Sequence, residues 1–174
     1  HECSSAASDV YKRQVDSGRQ VTAIDASAGM VAQARSRLPD ADIHHLPLQH
    51  LGRLGQTFDG ALSDFGVINC LDPTAAAAAL ADCLAPGAPA VVVPMPRVNP
   101  AWMLHRLLTG HPRVALSRLR RQLDVDVDGQ VVPTRYLSLA ELTAAFSPWF
   151  SLEHSEGIGA VSYTHLRAHE TTDN

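Results

Sequence analysis

The chain has 174 residues, a formal net charge of −4, 45% hydrophobic residues and 18% charged residues. That is one domain's worth of sequence, and the balance argues against a disordered tail and against a general nucleic-acid binder. No apolar run approaches the roughly 18 residues of a membrane helix, no start reads as a secretory signal, and Cys3, Cys70 and Cys83 make no CxxC pair, so a reduced, cytoplasmic setting is expected.

The chain opens on His1-Glu2-Cys3-Ser4-Ser5-Ala6-Ala7-Ser8, a stretch without clean periodicity that runs to Gln14 and holds Lys12, the only lysine. Gln20 to Asp25 is a short β-branched run ending in an acid. Ser27 is a good N-cap for a helix whose apolar positions Met30, Val31, Ala34 and Leu38 recur at helical spacing until Pro39. Asp42 to Leu46 reads as a weaker strand and Phe58 to Ser63 as another. Pro73 to Leu84 is an alanine-rich helix, and Ala85-Pro86-Gly87 turns the chain into the continuous apolar strand Ala90–Met95. Strands alternating with helices predict an α/β sheet.

Pro100 to Arg121 reads as two helices broken near Gly110-His111-Pro112. Leu123 to Val127 alternates strictly, Asp128-Gly129 is a hairpin turn, and Val131-Val132 begins the return strand. Ser138 and Glu141 have the spacing of a capping box at the head of a helix running to about Phe146, and Trp149 to Glu153 is a late strand. From Val161 the chain again loses clear periodicity. Both ends, 1–14 and 161–174, resemble peptides made by translating sequencing-adapter read-through at the ends of short assembled metagenomic fragments. They are set aside as artefactual tails, which leaves 15–160 as the natural part.

Asp25 carries the most chemical information. An acid at the carboxyl end of a parallel strand can accept two hydrogen bonds from a ribose diol, although many α/β proteins keep an acid there to cap a helix. His44, His45 and His50 cluster without recognisable metal-ligand spacing, so no metal site is expected. Cys70 and Cys83 read as small core residues. Arg113, Arg118, Arg120 and Arg121 read as a solvated helix face, and Asp124, Asp126 and Asp128 as the solvent face of a strand and its turn.

Val21 to Arg35 resembles the second motif of class I S-adenosylmethionine-dependent methyltransferases. Phe58-Asp59-Gly60-Ala61-Leu62-Ser63 resembles their fourth strand and Leu84-Ala85-Pro86-Gly87-Ala88 the turn before their fifth, in matching order and spacing. Ala88 stands where the family has a second glycine, and His44 to Leu48 where relatives often hold the adenine amino group with an acid. The resemblance implies a Rossmann-like α/β sheet that binds S-adenosyl-L-methionine, incomplete here, with its first and last strands missing and a helical and hairpin insertion, 96–136, as a substrate lid.

The resemblance further implies that Asp25 holds the ribose, that Ala26 and Met30 flank the adenine, and that Leu46 and Leu48 border its other side. Ser63, Asp64, Phe65, Gly66 and Asn69 would face the methionine half. Phe65 reads equally as core packing, and Asn69 equally as a helix cap. Trp102, His105, Arg106 and Tyr136 are weaker candidates for substrate contact, and no residue stands out as the catalytic group. The glycine-rich loop that precedes the ribose acid by about 20 residues in such folds has no counterpart, since no glycine precedes Gly18. The expected function is methyl transfer to a small molecule, without nucleic-acid or membrane partner, by a parent protein of which this chain is an inactive fragment. Fragments of an NAD(P)-dependent oxidoreductase or of a non-catalytic cofactor-binding module are the alternatives. The acceptor atom and the oligomeric state are not legible.

Overall fold

The computed structural model describes residues 11–63, 66–98, 100–117, 119, 122–127, 130–158 and 161–169. The chain divides into two compact units, residues 1–55 and 56–174.

In the first unit, residues 11–16 are helical (α1), followed by β1 (Thr22–Asp25), α2 (Ala28–Arg37), β2 (Asp42–His45) and a 3-10 segment, Leu48–Leu54. β1 and β2 pair in parallel with Asp25 opposite His45. A parallel pair needs a crossover, and α2 supplies it. The helix starts where Ser27 accepts a hydrogen bond from the Met30 amide, as its sequence predicts. Val31, Ile43, Leu48 and Leu51 are the buried apolar side chains of this unit. The first fourteen residues are not a loose tail throughout. The Tyr11 hydroxyl donates to the Val21 carbonyl and accepts from the Asp42 amide, which ties α1 to both strands. Residues 1–10 lie outside the described residues. Among those described, no strand precedes β1.

The second unit holds β3 (Ala61–Ser63), α3 (Pro73–Ala81), β4 (Pro89–Val92), α4 (Pro100–Leu108), α5 (Pro112–Ser117), β5 (Gln122–Val127), β6 (Gln130–Arg135), α6 (Leu139–Phe146), β7 (Phe150–Ile158) and β8 (Val161–Ala168). Four strands form a sheet in the order β3-β4-β8-β7, while β5 and β6 form a separate antiparallel hairpin. β3 and β4 are parallel, and β8 runs antiparallel to both its neighbours. The predicted fourth strand is shorter than expected, because Phe58 makes only an isolated bridge to Leu84 before the chain reaches Ala61. α3 packs against α6. Ala76 and Ala77 are buried there, and their small side chains allow close approach. Leu142, Phe146, Phe150, Val92 and Leu166 fill the rest of the core. The predicted break between α4 and α5 falls at Gly110, where φ is +76°.

Two expectations are corrected here. The last strand of the sheet is not missing, and 161–168 is not a loose tail. β8 lies between β4 and β7, Leu166 and Ala168 are buried, and Arg167 between them is exposed and pairs with Glu153 at 2.6 Å. The physical reason is backbone pairing: β4 and β7 each present amide and carbonyl groups that β8 satisfies. Cys70 is exposed rather than a core residue, whereas Cys83 is buried as expected, and burial raises its thiol pKa. Asp124 and Arg113 are exposed as predicted. Asp128, Arg118, Arg120 and Arg121 lie outside the described residues, as does the Asp126 side chain.

Candidate cofactor and acceptor site

In the first unit the β-branched run of β1 ends at Asp25, which is half-buried. One carboxylate oxygen, Oδ1, accepts a hydrogen bond from the Ser27 amide at 2.7 Å. Among the described residues the other oxygen has no hydrogen-bond partner. The Asp25 carbonyl accepts from the Leu46 amide at 2.9 Å, so the β1–β2 ladder continues past the strand end and fixes the acid's backbone.

Ala26 is exposed, and Met30, on the first turn of α2, is partly exposed. Leu46 is partly exposed, whereas Leu48 is buried with the core of this unit. His45 is a residue that sequence reasoning missed. Its Nε2 lies 3.0 Å from the Ala26 carbonyl and holds the segment after β1 against the end of β2. The only signal for it was the His44-His45 pair standing where relatives carry an acid. At the other end of β2, Asp42 accepts from Thr22 Oγ1 and lies 2.7 Å from His44 Nε2. The Thr22 hydroxyl above all lowers the Asp42 pKa; burial opposes it, and His44 adds to the lowering.

In the second unit Ser63 ends β3, and its carbonyl accepts from the Val93 amide at 2.9 Å. Asp64 and Phe65 lie outside the described residues. Gly66 is buried with φ of +87°, and a Cβ there would lie 3.2 Å from the Met95 methyl. The positive φ favours glycine, and a Cβ would in addition crowd the Met95 methyl.

Asn69 does not face the cofactor with its amide. It is fully buried, Nδ2 donates to the Met95 carbonyl at 3.0 Å and to the Arg135 carbonyl at 2.5 Å, and Oδ1 accepts from the Met95 amide at 2.8 Å. Both amide hydrogens are spent on the protein's own backbone. Its alternative reading, a helix cap, also fails, because Asp72 caps α3 by accepting from the Thr74 and Ala75 amides.

Of the acceptor candidates, Trp102 and Arg106 are brought together on α4, with the guanidinium carbon 5.7 Å from the indole centroid, a cation–π distance. His105 is exposed on the same helix. Tyr136 is buried just after β6, and it lines a cavity of about 210 Å³ with Arg97, Gln122, Arg135, Leu137 and Glu141. Arg97 Nη2 donates to both carboxylate oxygens of Glu141, and Arg97 Nε donates to the Tyr136 carbonyl. Among the described residues no group of His, Cys, Asp and Glu could hold a metal ion, and no helix is long and apolar enough to cross a membrane.

Residues 5–87 match the family model of a methyltransferase domain, a span that covers β1, Asp25, β3 and α3. A crystal structure of an S-adenosylmethionine-dependent methyltransferase from Methanosarcina mazei is similar, with a TM-score of 0.63 at 14% identity over 87% of this chain and 82% of that one. Residues 5–87 thus match a methyltransferase domain, and the chain shares the fold of an S-adenosylmethionine-dependent methyltransferase. A glycopeptide N-methyltransferase complexed with S-adenosyl-L-homocysteine resembles this chain with a TM-score of 0.61 at 14% identity, over 88% of this chain and 76% of that one. So does 1,6-didemethyltoxoflavin-N1-methyltransferase from Burkholderia thailandensis, with a TM-score of 0.63 at 16% identity over 92% of this chain and 66% of that one. No curated protein matches the sequence.

Proposed function

We propose that the parent protein of this chain moves the methyl group of S-adenosylmethionine to a small-molecule acceptor in the cytoplasm. The observation that carries the reading is the state of the Asp25 carboxylate. One oxygen is fixed by the Ser27 amide, and the other has no hydrogen-bond partner among the described residues. That leaves an acceptor, at the carboxyl end of a parallel strand, for a ribose hydroxyl. Ala26, Met30 and Leu46 offer partly open surface to an adenine, and Leu48, buried in the core of the same unit, is assigned to its border. Ser63, Asp64, Phe65 and Gly66 are assigned to the methionine half.

The cofactor, when bound, supplies an electrophilic methyl on a sulfonium. The protein's part is to hold the acceptor in line with it, and positioning supplies most of the rate in such a reaction. Segment 96–136 is assigned to the acceptor, with Trp102, His105, Arg106 and Tyr136 its candidate contacts. The names of two similar structures, methyltransferases of a glycopeptide and of didemethyltoxoflavin, support a small-molecule acceptor. The 174-residue chain by itself is proposed to transfer no methyl, because no glycine stands before Gly18 to let backbone approach the cofactor's methionine end.

Titration calorimetry tests the reading. Heat on adding S-adenosylhomocysteine, and none with a reduced nicotinamide cofactor, is the expected result. Binding of the nicotinamide cofactor alone would overturn it in favour of an oxidoreductase.

A further inference from the structure

Segment 96–136 leaves the body of the second unit after Met95 and returns to it at Arg135-Tyr136, and both ends of this neck are held by one side chain. Asn69 is fully buried, and it exchanges two hydrogen bonds with the Met95 backbone while donating a third to the Arg135 carbonyl. The neck is closed further by an isolated bridge between Pro96 and Leu137, by the Arg97 amide donating to the Leu137 carbonyl, and by Arg135 pairing with Asp72 at 2.9 Å. Asn69 itself belongs to the short 3-10 turn Ile68–Cys70, and its amide is hydrogen-bonded to the Gly66 carbonyl. A Cβ on Gly66 would lie 3.2 Å from the Met95 methyl.

We propose that Asn69 is a positioning residue that sets the 96–136 segment in register with the loop following β3. The role calls for a carboxamide on a short stem, since the longer glutamine would carry the same group one methylene further out. The site needs two donors aimed at two carbonyls and one acceptor aimed at an amide, and a carboxamide supplies all three. Aspartate would turn an acceptor oxygen towards two carbonyls. A hydrophobic residue would leave the Met95 amide without its partner in the interior. That the segment selects the acceptor, and that the β3 loop faces the cofactor, rests on the function proposed above; the clasp itself does not.

Hydrogen exchange and fluorine NMR test the proposal. In the wild-type chain the two carboxamide protons of Asn69 should exchange as slowly as the Met95 amide; exchange as fast as that of an exposed glutamine such as Gln49 overturns the clasp, whatever any variant does. In Asn69→Ala, the amides of Met95, Val131, Val132, Thr134 and Arg135 should exchange about tenfold or more faster while those of Ala77 and Leu142 stay within about twofold, the mark of local rather than global opening. A uniform change, or none, overturns it.

The positioning role is read with 5-fluorotryptophan, which separates Trp102 from Trp149. Adding S-adenosylhomocysteine should shift the Trp102 resonance in the wild type. In Asn69→Ala the nucleoside should still bind, but the Trp102 shift should be lost. A shift that persists in the variant overturns the positioning role. No binding of S-adenosylhomocysteine by the wild type would overturn the proposed function, and the two exchange measurements would still decide the clasp.

Discussion

The carboxylate of Glu141 is shared between Arg97 and the head of its own helix. Arg97 Nη2 lies 2.6 Å and 2.5 Å from its two oxygens, while the Ser138 amide and hydroxyl donate to Oε2 at 2.9 Å and 2.8 Å. The capping box, legible at the Ser138–Glu141 spacing, is therefore also the anchor of Arg97, forty-four residues away. The guanidinium of Arg97 above all, and then the Ser138 donors, hold the Glu141 pKa down at about 2 against a small opposing effect of burial.

A pH dependence follows. A carboxylate whose folded pKa lies below its unfolded value stabilises the fold above the unfolded pKa, and that stability is lost as pH falls through the folded one. The contribution of Glu141 is thus present above about 4.5 and disappears towards about 2. Asp42 and Asp72, both with lowered pKa, act in the same direction, Asp72 mainly through the Ala75 amide and then Arg135. Arg97→Ala should lower stability at neutral pH by roughly 1 kcal/mol, since the pair is partly exposed and screened. The gap to the wild type should narrow as pH falls towards 2. Thermal unfolding at stepped pH reads both effects, and a gap that widens in acid contradicts the assignment.

In the full-length parent protein, Asp25→Ala should weaken S-adenosylhomocysteine binding by roughly 1.5–3 kcal/mol, the scale for hydrogen bonds to a charged group. The substitution also removes the acceptor of the Ser27 amide, so Ser27→Ala serves as the control for local disorder at the start of α2. If both variants bind alike, Asp25 acts only through the helix start.

Phe146 is fully buried, and its ring centroid lies 5.6 Å from that of Phe150. It joins α6 to β7 at the centre of the second unit. Phe146→Ala should cost about 3–5 kcal/mol by the transfer and cavity terms for a buried aromatic. Chemical denaturation would show the loss as a lower midpoint with the slope nearly unchanged. A cost below about 1 kcal/mol would mean that the core does not close on this ring.

The elements that the sequence announced are those whose signals are local. Ser27 caps α2 within three residues, Ser138 and Glu141 close α6 within three, and the Gly110-His111-Pro112 break separates α4 from α5. Asp25 was legible for the same reason, because a strand end followed by an N-cap is a contiguous pattern. Asn69 was not, since its partners Met95 and Arg135 lie 26 and 66 residues away and nothing near Asn69 marks them. The cavity beside Tyr136 was hidden likewise. Its wall draws on β5, β6 and α6, and Tyr136 alone looked like a loose aromatic.

β8 was illegible for a different reason, and that reason makes a prediction. Its sequence, Val-Ser-Tyr-Thr-His-Leu-Arg-Ala, carries little apolar alternation of its own. What holds it is demand from both sides: β4 pairs with it over Pro89–Val92, and β7 over Phe150–Ile158. Deleting 161–174 would open one edge of each strand at once, and would uncover Ala90, Val92 and Phe150, all buried in the intact sheet. Two newly exposed apolar edges are templates for intermolecular pairing, so the shortened chain should be less stable and should associate. Leu166→Ala is the milder probe. It keeps the backbone ladder but removes a side chain that is 1% exposed, and should cost about 2–5 kcal/mol. Light scattering on the deletion and denaturant unfolding of the point variant check the two outcomes. A monomeric, equally stable chain without 161–174 would show that β8 adds nothing to the sheet and would restore the reading of those residues as a passive tail.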